Sequence, residues 1–159
     1  MTTIDLDRNF GPEDRAAIET ITRSSGMFTD IETNLALDVF DEALGENKSG
    51  YRFVLARSDE EVIGYACWGK DEQTVSSFEL YWIAVDDSVR GQGVGSQLLQ
   101  EVESAVRDVG GGTLFLETAG KPQYLPTRLF YRKRGYEIVA WIDDYYEPGD
   151  ARVFFAKRL

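Results

Sequence analysis

The chain has 159 residues, of which 43% are hydrophobic, so it is long and apolar enough to bury a core and is not expected to be disordered. Its formal net charge of −11 argues against binding to nucleic-acid phosphates, and its lack of histidine excludes Ser-His-Asp or Cys-His catalysis and the usual zinc sites. It has no apolar run long enough for a membrane span and no signal-peptide pattern at MTTIDLDRNF, and its single cysteine suits a reducing compartment. We therefore expect one cytoplasmic domain over residues 1–159. We expect it to bind no metal, no membrane and no nucleic acid.

The first half of the chain predicts two helices between short strands. A threonine with a glutamate three residues later, Thr29 and Glu32, forms a capping box that starts the second of these helices. In chain order we predict a strand at TTIDLDR, a helix from Pro12 to about Gly26, a helix from Thr29 to Gly45, and a hairpin of YRFVLAR (51–57) with EVIGYACWG (61–69).

The second half predicts a strand–helix–strand unit followed by a short helix and a final hairpin. The elements are a strand FELYWIAV (78–85) that looks buried on both faces, a helix from about Val94 to Gly110, a strand TLFLET (113–118), a helix around 126–134, and strands YEIVAWI (136–142) and ARVFFAK (151–157) around a loop DDYYEPGD. The order β-α-α-β-β-β-α-β-α-β-β predicts an α+β, or mixed α/β, layer fold. One right-handed βαβ unit at 78–118 gives a parallel pair in a mostly antiparallel sheet.

The segment YWIAVDDSVRGQGVGS (81–96) places three glycines between a strand and a helix, with Arg90 in front. Glycines let backbone N–H groups approach a ligand closely, and the first N–H groups of a helix have no partner within it. The helix dipole adds partial positive charge at the same point. The segment therefore predicts an anion site, most simply for phosphate, against the alternative of a tight connection that needs glycine only for packing.

Two common phosphate loops fit this segment poorly. A Walker loop needs a Gly-Lys-Ser/Thr sequence, and no lysine lies here. A Rossmann fingerprint needs G-x-G-x-x-G directly after the strand, whereas here residues 86–90 intervene and the glycines read G-x-G-x-G. ATP hydrolysis and dinucleotide binding are accordingly disfavoured, although Glu117 stands where a ribose-binding acid would.

The hexapeptide Arg90-Gly91-Gln92-Gly93-Val94-Gly95 matches R/Q-x-x-G-x-G/A, and so resembles the acyl-CoA pyrophosphate loop of the GNAT superfamily of N-acetyltransferases. The strand ELYWIAV before it and the segment LFYRKRGYE (129–137) after it are similar to further family segments at a fitting spacing. The resemblance covers roughly residues 50–158. It departs from the family pattern at Asp87, where a proline is usual, and at Tyr124, where an asparagine is frequent.

The resemblance implies an acetyl-CoA site. Backbone N–H groups from Arg90 to Ser96 would hold the pyrophosphate, and the backbone at 83–85 would pair with pantetheine like an added strand. In this family the two central parallel strands splay apart, and the cofactor's arm fills the gap. The implied cofactor-binding residues are Ile83, Ala84, Val85, Arg90, Gly91, Gln92, Gly93, Val94, Gly95, Ser96 and Tyr131.

Acetyl transfer to an amine needs a base, because a lysine-like amine with a pKa near 10.4 is neutral only about once in 10³ molecules at pH 7. Glu79 stands on the fourth strand where several family members carry a catalytic glutamate, and Glu117 on the neighbouring strand is the second candidate. Tyr131 stands at the family's general-acid position, with a core tyrosine as the alternative. Cys67 lies mid-strand and is expected to be a buried, inert thiol.

We therefore expect an enzyme that transfers acetyl from acetyl-CoA to a primary amine by direct attack in a ternary complex. The alternatives are a CoA-binding module or regulatory subunit without turnover, and a nucleotide-binding protein. The acidic and aromatic residues 143–147 would suit a cationic acceptor, or they would form a solvated hairpin tip. The identity of the amine and the existence of a homodimer are left open.

Overall fold

The structure is a computed structural model that describes residues 3–45 and 50–159, and its succession of elements matches the predicted one. Thr2, which the predicted first strand included, lies outside the described residues. The strands are β1 Ile4–Asp7, β2 Tyr51–Ser58, β3 Glu61–Lys70, β4 Ser77–Val85, β5 Thr113–Ala119, β6 Glu137–Glu147 and β7 Asp150–Arg158. The helices are α1 Arg15–Ser24, α2 Asp30–Leu44, α3 Val94–Asp108 and α4 Leu125–Lys133, with short 3₁₀ turns at Pro12–Asp14, Asp87–Val89 and Pro122–Tyr124.

The start of α2 shows how local sequence fixes an element boundary. The Thr29 side chain accepts a hydrogen bond from the Glu32 N–H at 3.2 Å, and Glu32 Oε2 accepts one from the Thr29 N–H at 2.8 Å. These reciprocal bonds satisfy two N–H groups that the helix itself leaves unpaired. The capping box predicted from the sequence is thus confirmed, and it sets where the chain leaves the segment between α1 and α2.

The strands of the described residues form one seven-stranded sheet in the order β1-β2-β3-β4-β5-β7-β6. All neighbours in it are antiparallel except β4 and β5, which are parallel and joined through α3. This is the predicted α+β architecture with one βαβ unit. No helix within 3–45 and 50–159 is long and apolar enough to cross a membrane.

Helices cover both faces of the sheet and divide the core in two. On one face α1 and α2 pack on β2–β4 through fully buried side chains such as Ile18, Phe40 and Tyr65. On the other face α3 and α4 pack through side chains such as Leu98 and Phe155. Burying large apolar side chains of this kind stabilises a fold by about 1.5–3 kcal/mol each, so the sheet is a rigid support for its loops.

The parallel pair of strands is short, and its strands then separate. Pairing between β4 and β5 is limited to Ser77 with Thr113, Phe78 with Leu114, and Glu79 with Phe115. Beyond these pairs β4 remains bonded to β3, and β5 remains bonded to β7. A wedge therefore opens between the two strands on the side of their carboxyl ends, with unpaired backbone groups along both edges.

Two expectations about strands are wrong. The predicted loop DDYYEPGD is mostly strand, because β6 continues to Glu147 and the turn to β7 is made at 148–149. A bulge at Asp144, with φ of 55°, carries the acidic stretch without ending the strand. Strand β4 is not buried on both faces either, since Leu80 is buried while Glu79 is exposed.

Candidate active site

The glycines between β4 and α3 are required by backbone conformation. Gly91 and Gly93 have φ values of 80° and 83°, in the left-handed region that side chains disfavour. A Cβ atom built on either glycine would meet no heavy atom within 4 Å, so crowding does not explain them. Packing alone is therefore a poor reason for these glycines, and the open space leaves the loop backbone approachable by a ligand.

Most N–H groups of this loop are free to bind an anion. Two of them, on Arg90 and Gln92, close turns onto carbonyl oxygens at 3.4 and 3.3 Å. The first hydrogen bond of α3 is donated by Gln97 to Gly93 at 3.1 Å. The intervening N–H groups have no backbone acceptor among the described residues, and they belong to Gly91, Gly93, Val94, Gly95 and Ser96.

A cation that the sequence reasoning missed lies beside this loop. The Arg134 guanidinium lies 3.6 Å from the centre of the Phe130 ring, and its Nε donates to the Ser96 hydroxyl at 3.1 Å. Its Nη1 donates to the Phe130 carbonyl at 2.9 Å, and within 3–45 and 50–159 it has no carboxylate partner. The four-residue spacing of Phe130 and Arg134 on a helix was the available signal, since it places them on one face.

The side chain of Arg90 leads away from the free N–H groups. Its Nη2 donates to the carbonyl oxygen of Ser25 at 2.7 Å, and its Nη1 lies 3.4 Å from Oδ1 of Asp87. Ser25 follows the last residue of α1 and is buried. The arginine in front of the glycines therefore joins the loop to the end of α1.

The wedge between β4 and β5 holds two adjoining cavities, of about 720 and 160 Å³. Both are lined by Tyr81 and Trp82 of β4, by Glu117 of β5, and by Phe28 from the segment before α2. Glu79 lines only the larger cavity, and Tyr131 lines only the smaller one. The structure thus brings the predicted base and the predicted acid to two neighbouring cavities that share lining residues.

Tyr131 lies on α4 with its ring buried, at 5% exposure, against Tyr136 and Phe155. Its hydroxyl forms no hydrogen bond with the described residues. Every fully buried side-chain oxygen or nitrogen among those residues does have a hydrogen-bond partner, so the Tyr131 hydroxyl is not fully buried. The hydroxyl therefore keeps contact with the smaller cavity. Burial raises the pKa of Tyr131, with the Arg134 charge opposing the shift, so the phenol stays protonated at neutral pH and can donate.

Glu79 faces the larger cavity from β4, at the last residue paired with β5. The surrounding protein raises the pKa of its carboxyl by removing water, and the negative charges of Glu117 and Asp71 add to the rise. The nearby Tyr81 hydroxyl acts in the opposite direction and lowers this pKa. The net rise makes Glu79 a stronger base than an ordinary glutamate.

Glu117 lies in the same cavity but is held by a cation. Arg152 Nε donates to Glu117 Oε2 at 2.6 Å, and Arg152 Nη2 contacts the same oxygen. The guanidinium also donates to the Tyr145 hydroxyl at 2.6 Å and lies over the Phe154 ring. Arg152 therefore occupies one oxygen of Glu117, whereas Glu79 forms no ion pair with the described residues, and this contact distinguishes the two candidate bases.

The remaining polar lining belongs to the β5–α4 connection and the last hairpin. Tyr124 lines both cavities, so the residue that departs from the resemblance stands at the site. Tyr146 and Glu147 line the larger cavity, and Glu147 is paired with Lys121. Thus part of the acidic and aromatic segment 143–147 does face the space open to an acceptor.

Cys67 is fully buried in β3 and packs in the core beneath α1 and α2. It lines neither of the two cavities. Burial raises the pKa of its thiol, which disfavours the thiolate that a nucleophile requires. The expectation of a buried thiol is confirmed.

The model of the acetyltransferase (GNAT) family matches residues 16–136, which span β4, the glycine loop, α3 and α4. The chain belongs to the GNAT family. By family it is an acyltransferase, and the resemblance inferred from Arg90–Gly95 is confirmed.

Known proteins resemble this GNAT chain over most of its length. A GNAT-family protein from Desulfovibrio desulfuricans is 36% identical, with a TM-score of 0.95 and coverage of 98% of this chain and 99% of that one. An IAA acetyltransferase of Azospirillum brasilense is 32% identical over 75% of this chain and 73% of its own. An aminoglycoside 6'-N-acetyltransferase complexed with coenzyme A shares the fold at 18% identity and TM-score 0.76, covering 98% and 96%. A Mycobacterium leprae protein is 27% identical over 90% of this chain, and the matched part is 38% of that protein's own length.

Proposed function

We propose that this chain transfers the acetyl group of acetyl-CoA to a primary amine, by direct attack within a ternary complex. The observation that carries the proposal is the wedge between β4 and β5. Its β4 edge leads from the cavities that Glu79 and Tyr131 line toward the glycine loop that follows Val85. A cofactor bound along this wedge would bring its thioester between a base and an acid.

The cofactor's phosphates would lie on the N–H groups at the start of α3. These groups and the helix dipole supply partial positive charge, and the unpaired Arg134 guanidinium beside Ser96 supplies a full one. An aminoglycoside 6'-N-acetyltransferase of the same fold is complexed with coenzyme A, which supports coenzyme A as the kind of ligand.

The pantetheine arm would run along the free edge of β4. Residues 83–85 are paired with β3 on one side and have lost β5 on the other. Their outward N–H and C=O groups can pair with the amides of pantetheine in the manner of an added strand. This pairing would direct the sulfur end of the arm toward the cavity residues.

Glu79 would remove the proton that the attacking amine loses. The raised pKa of its carboxyl suits proton transfer, and a positioned base contributes about 10²–10⁴-fold to a rate. Glu117 is the less suitable base because Arg152 occupies its Oε2 atom. We assign Glu117 instead to holding Arg152, which lines the larger cavity.

Tyr131 would protonate the departing thiolate. As the amine nitrogen bonds to the acetyl carbon, the C–S bond breaks and its electron pair stays on sulfur. A neutral phenol with an unpaired hydroxyl at the cavity can deliver a proton there. The buried Cys67 has no place in this sequence, so no acetyl-enzyme is required.

The acceptor is expected to be cationic before it loses its proton. The larger cavity presents the carboxylate of Glu79 together with the aromatic rings of Tyr81, Trp82 and Tyr146. A protonated amine is attracted by carboxylates and by ring faces. The named relatives differ in what they acetylate, so the individual amine is left to experiment.

Release of the CoA thiol in the presence of a panel of amines tests the proposal. We expect release that depends on an amine and that falls at least tenfold in the Glu79→Gln variant. Glu61→Gln is a matched control, because Glu61 is an exposed glutamate at the start of β3 and lines neither cavity. Acetyl-CoA binding without amine-dependent release from any member of a broad panel would favour a non-catalytic CoA-binding module.

A further inference from the structure

Arg90 connects two parts of the protein that are distant in the sequence. Its guanidinium Nη2 donates to the Ser25 carbonyl at 2.7 Å, across 65 positions of the chain. This carbonyl belongs to the C-terminal end of α1, where the helix dipole carries partial negative charge. A cation bonded to such a carbonyl is favourable in both its hydrogen bond and its charge.

The segment that Arg90 holds is a wall of the cavities. Met27 and Phe28, two and three residues after the bonded Ser25, line both of them. Gly26 turns the chain with φ of 69°, and the Ser25 hydroxyl donates to the Thr22 carbonyl at 2.8 Å. The position of the wall therefore depends on where the end of α1 is held.

We propose that Arg90 is a positioning residue that couples the cofactor loop to the wall of the acceptor cavity. This inference rests on the proposed function and deepens it. The free N–H groups between Gly91 and Ser96 would bind phosphate, while the Arg90 side chain holds the Ser25 carbonyl and so the segment that leads to Met27 and Phe28. Occupation of the loop by the cofactor would then steady the wall against which the amine binds.

The geometry distinguishes this role from a phosphate contact. An arginine that binds phosphate directs its guanidinium donors toward the anion. In Arg90 one terminal nitrogen is bonded to a neutral carbonyl and the other lies near Asp87. Arg134, beside Ser96, has no carboxylate partner among the described residues and so offers the charge that phosphate requires.

Hydrogen–deuterium exchange and calorimetry on Arg90→Ala test the proposal without depending on turnover. We expect faster amide exchange at residues 26–29, and an acetyl-CoA Kd within threefold of the wild-type value. In wild type, acetyl-CoA should slow exchange in this segment, and the variant should lose that effect. Where an amine substrate is known, its KM should rise about tenfold with a smaller change in kcat, as for loss of one charge-assisted hydrogen bond.

Two further variants sharpen the result. Arg90→Lys keeps the charge and should recover part of the protection at 26–29. Asp87→Asn removes the weak ion pair of Arg90 without touching the bond to Ser25, and should behave as wild type. Unchanged exchange in Arg90→Ala, or a loss of acetyl-CoA affinity above tenfold in that variant, would overturn the coupling role. Failure of the enzyme to acetylate amines would leave the exchange result intact.

Discussion

Replacing Tyr131 by phenylalanine should lower turnover while leaving stability unchanged. The same replacement at Tyr136 is a matched comparison, because it should lower stability while leaving turnover unchanged. The Tyr131 hydroxyl has no hydrogen bond with the described residues and lies at the smaller cavity. The Tyr136 hydroxyl donates to Glu103 Oε2 at 2.8 Å inside the core. The two tyrosines lie five positions apart with ring centres 5.9 Å apart, and both belong to the core between the sheet and α3.

The magnitudes follow from these contacts. Tyr131→Phe deletes an oxygen without breaking a protein hydrogen bond, so the free energy of unfolding should change by less than about 0.5 kcal/mol. Tyr136→Phe removes a bond to a buried carboxylate, which Lys157 still holds, and should cost roughly 1.5–3 kcal/mol. For a domain of this size that loss lowers Tm by roughly 3–12 °C.

The two variants should differ in the opposite sense in their turnover. Loss of the acid in Tyr131→Phe should lower kcat on the order of 10–10³-fold and leave the acetyl-CoA Kd within about threefold, because the proton is needed only as charge develops on sulfur. Tyr136→Phe should keep kcat within about twofold below its Tm. Steady-state kinetics, calorimetry and thermal melts on both variants measure these quantities.

A large fall in Tm for Tyr131→Phe, with normal turnover in the folded fraction, would refute the reasoning. That outcome would make Tyr131 an ordinary core residue. It would also move the general acid elsewhere in the cavity, with Tyr124 as the next hydroxyl to test because it lines both cavities.

Three further substitutions test the other assignments. The pKa of Glu79 is raised above the ordinary glutamate value near 4.3, so kcat should rise with pH over a range displaced upward from that value. Glu79→Gln should lower kcat and remove this dependence on pH. An unchanged pH profile in that variant, with activity lost instead in Glu117→Gln, would exchange the two roles. Gly93→Val adds a branched side chain at φ of 83° and should weaken acetyl-CoA binding more than tenfold in calorimetry, and a folded variant with wild-type affinity would remove the loop from the cofactor site. Cys67→Ala should retain most activity because the thiol is buried outside both cavities, whereas loss of turnover together with a trapped acetyl-Cys67 in wild type would require a two-step reaction.

The parts of the fold that the sequence predicts well are those set by local rules. The Thr29 and Glu32 capping box, the glycines before α3 and the apolar periodicity of α3 each depend on residues within a few positions of one another. The loop at 90–96 falls in this class, and it is also the part that carried the family resemblance. The loop that we propose to bind the cofactor could therefore be singled out from the sequence alone.

The parts that the sequence predicts poorly depend on distant strands. An apolar run such as FELYWIAV does not reveal that one face opens onto a cavity, because the opening is made by the parting of β5 from β4. Strand β6 extends beyond a bulge at Asp144 as far as Glu147, which pairs with Asp150 of β7. The amino-acid composition of this segment does not reveal that pairing. The partners of Arg90 and Arg134 likewise lie on other elements.

Mass spectrometry of an amine library incubated with isotope-labelled acetyl-CoA is the most direct measurement. The proposal predicts at least one primary amine that gains a labelled acetyl group on nitrogen with wild-type protein. The Glu79→Gln, Tyr131→Phe double variant should still bind acetyl-CoA but form the product at least a hundredfold more slowly. Acetylation that persists at the wild-type rate in the double variant, or no acetylated amine from a library of amines, peptides and amino sugars, would contradict the assignment of this wedge as an N-acetyltransferase site.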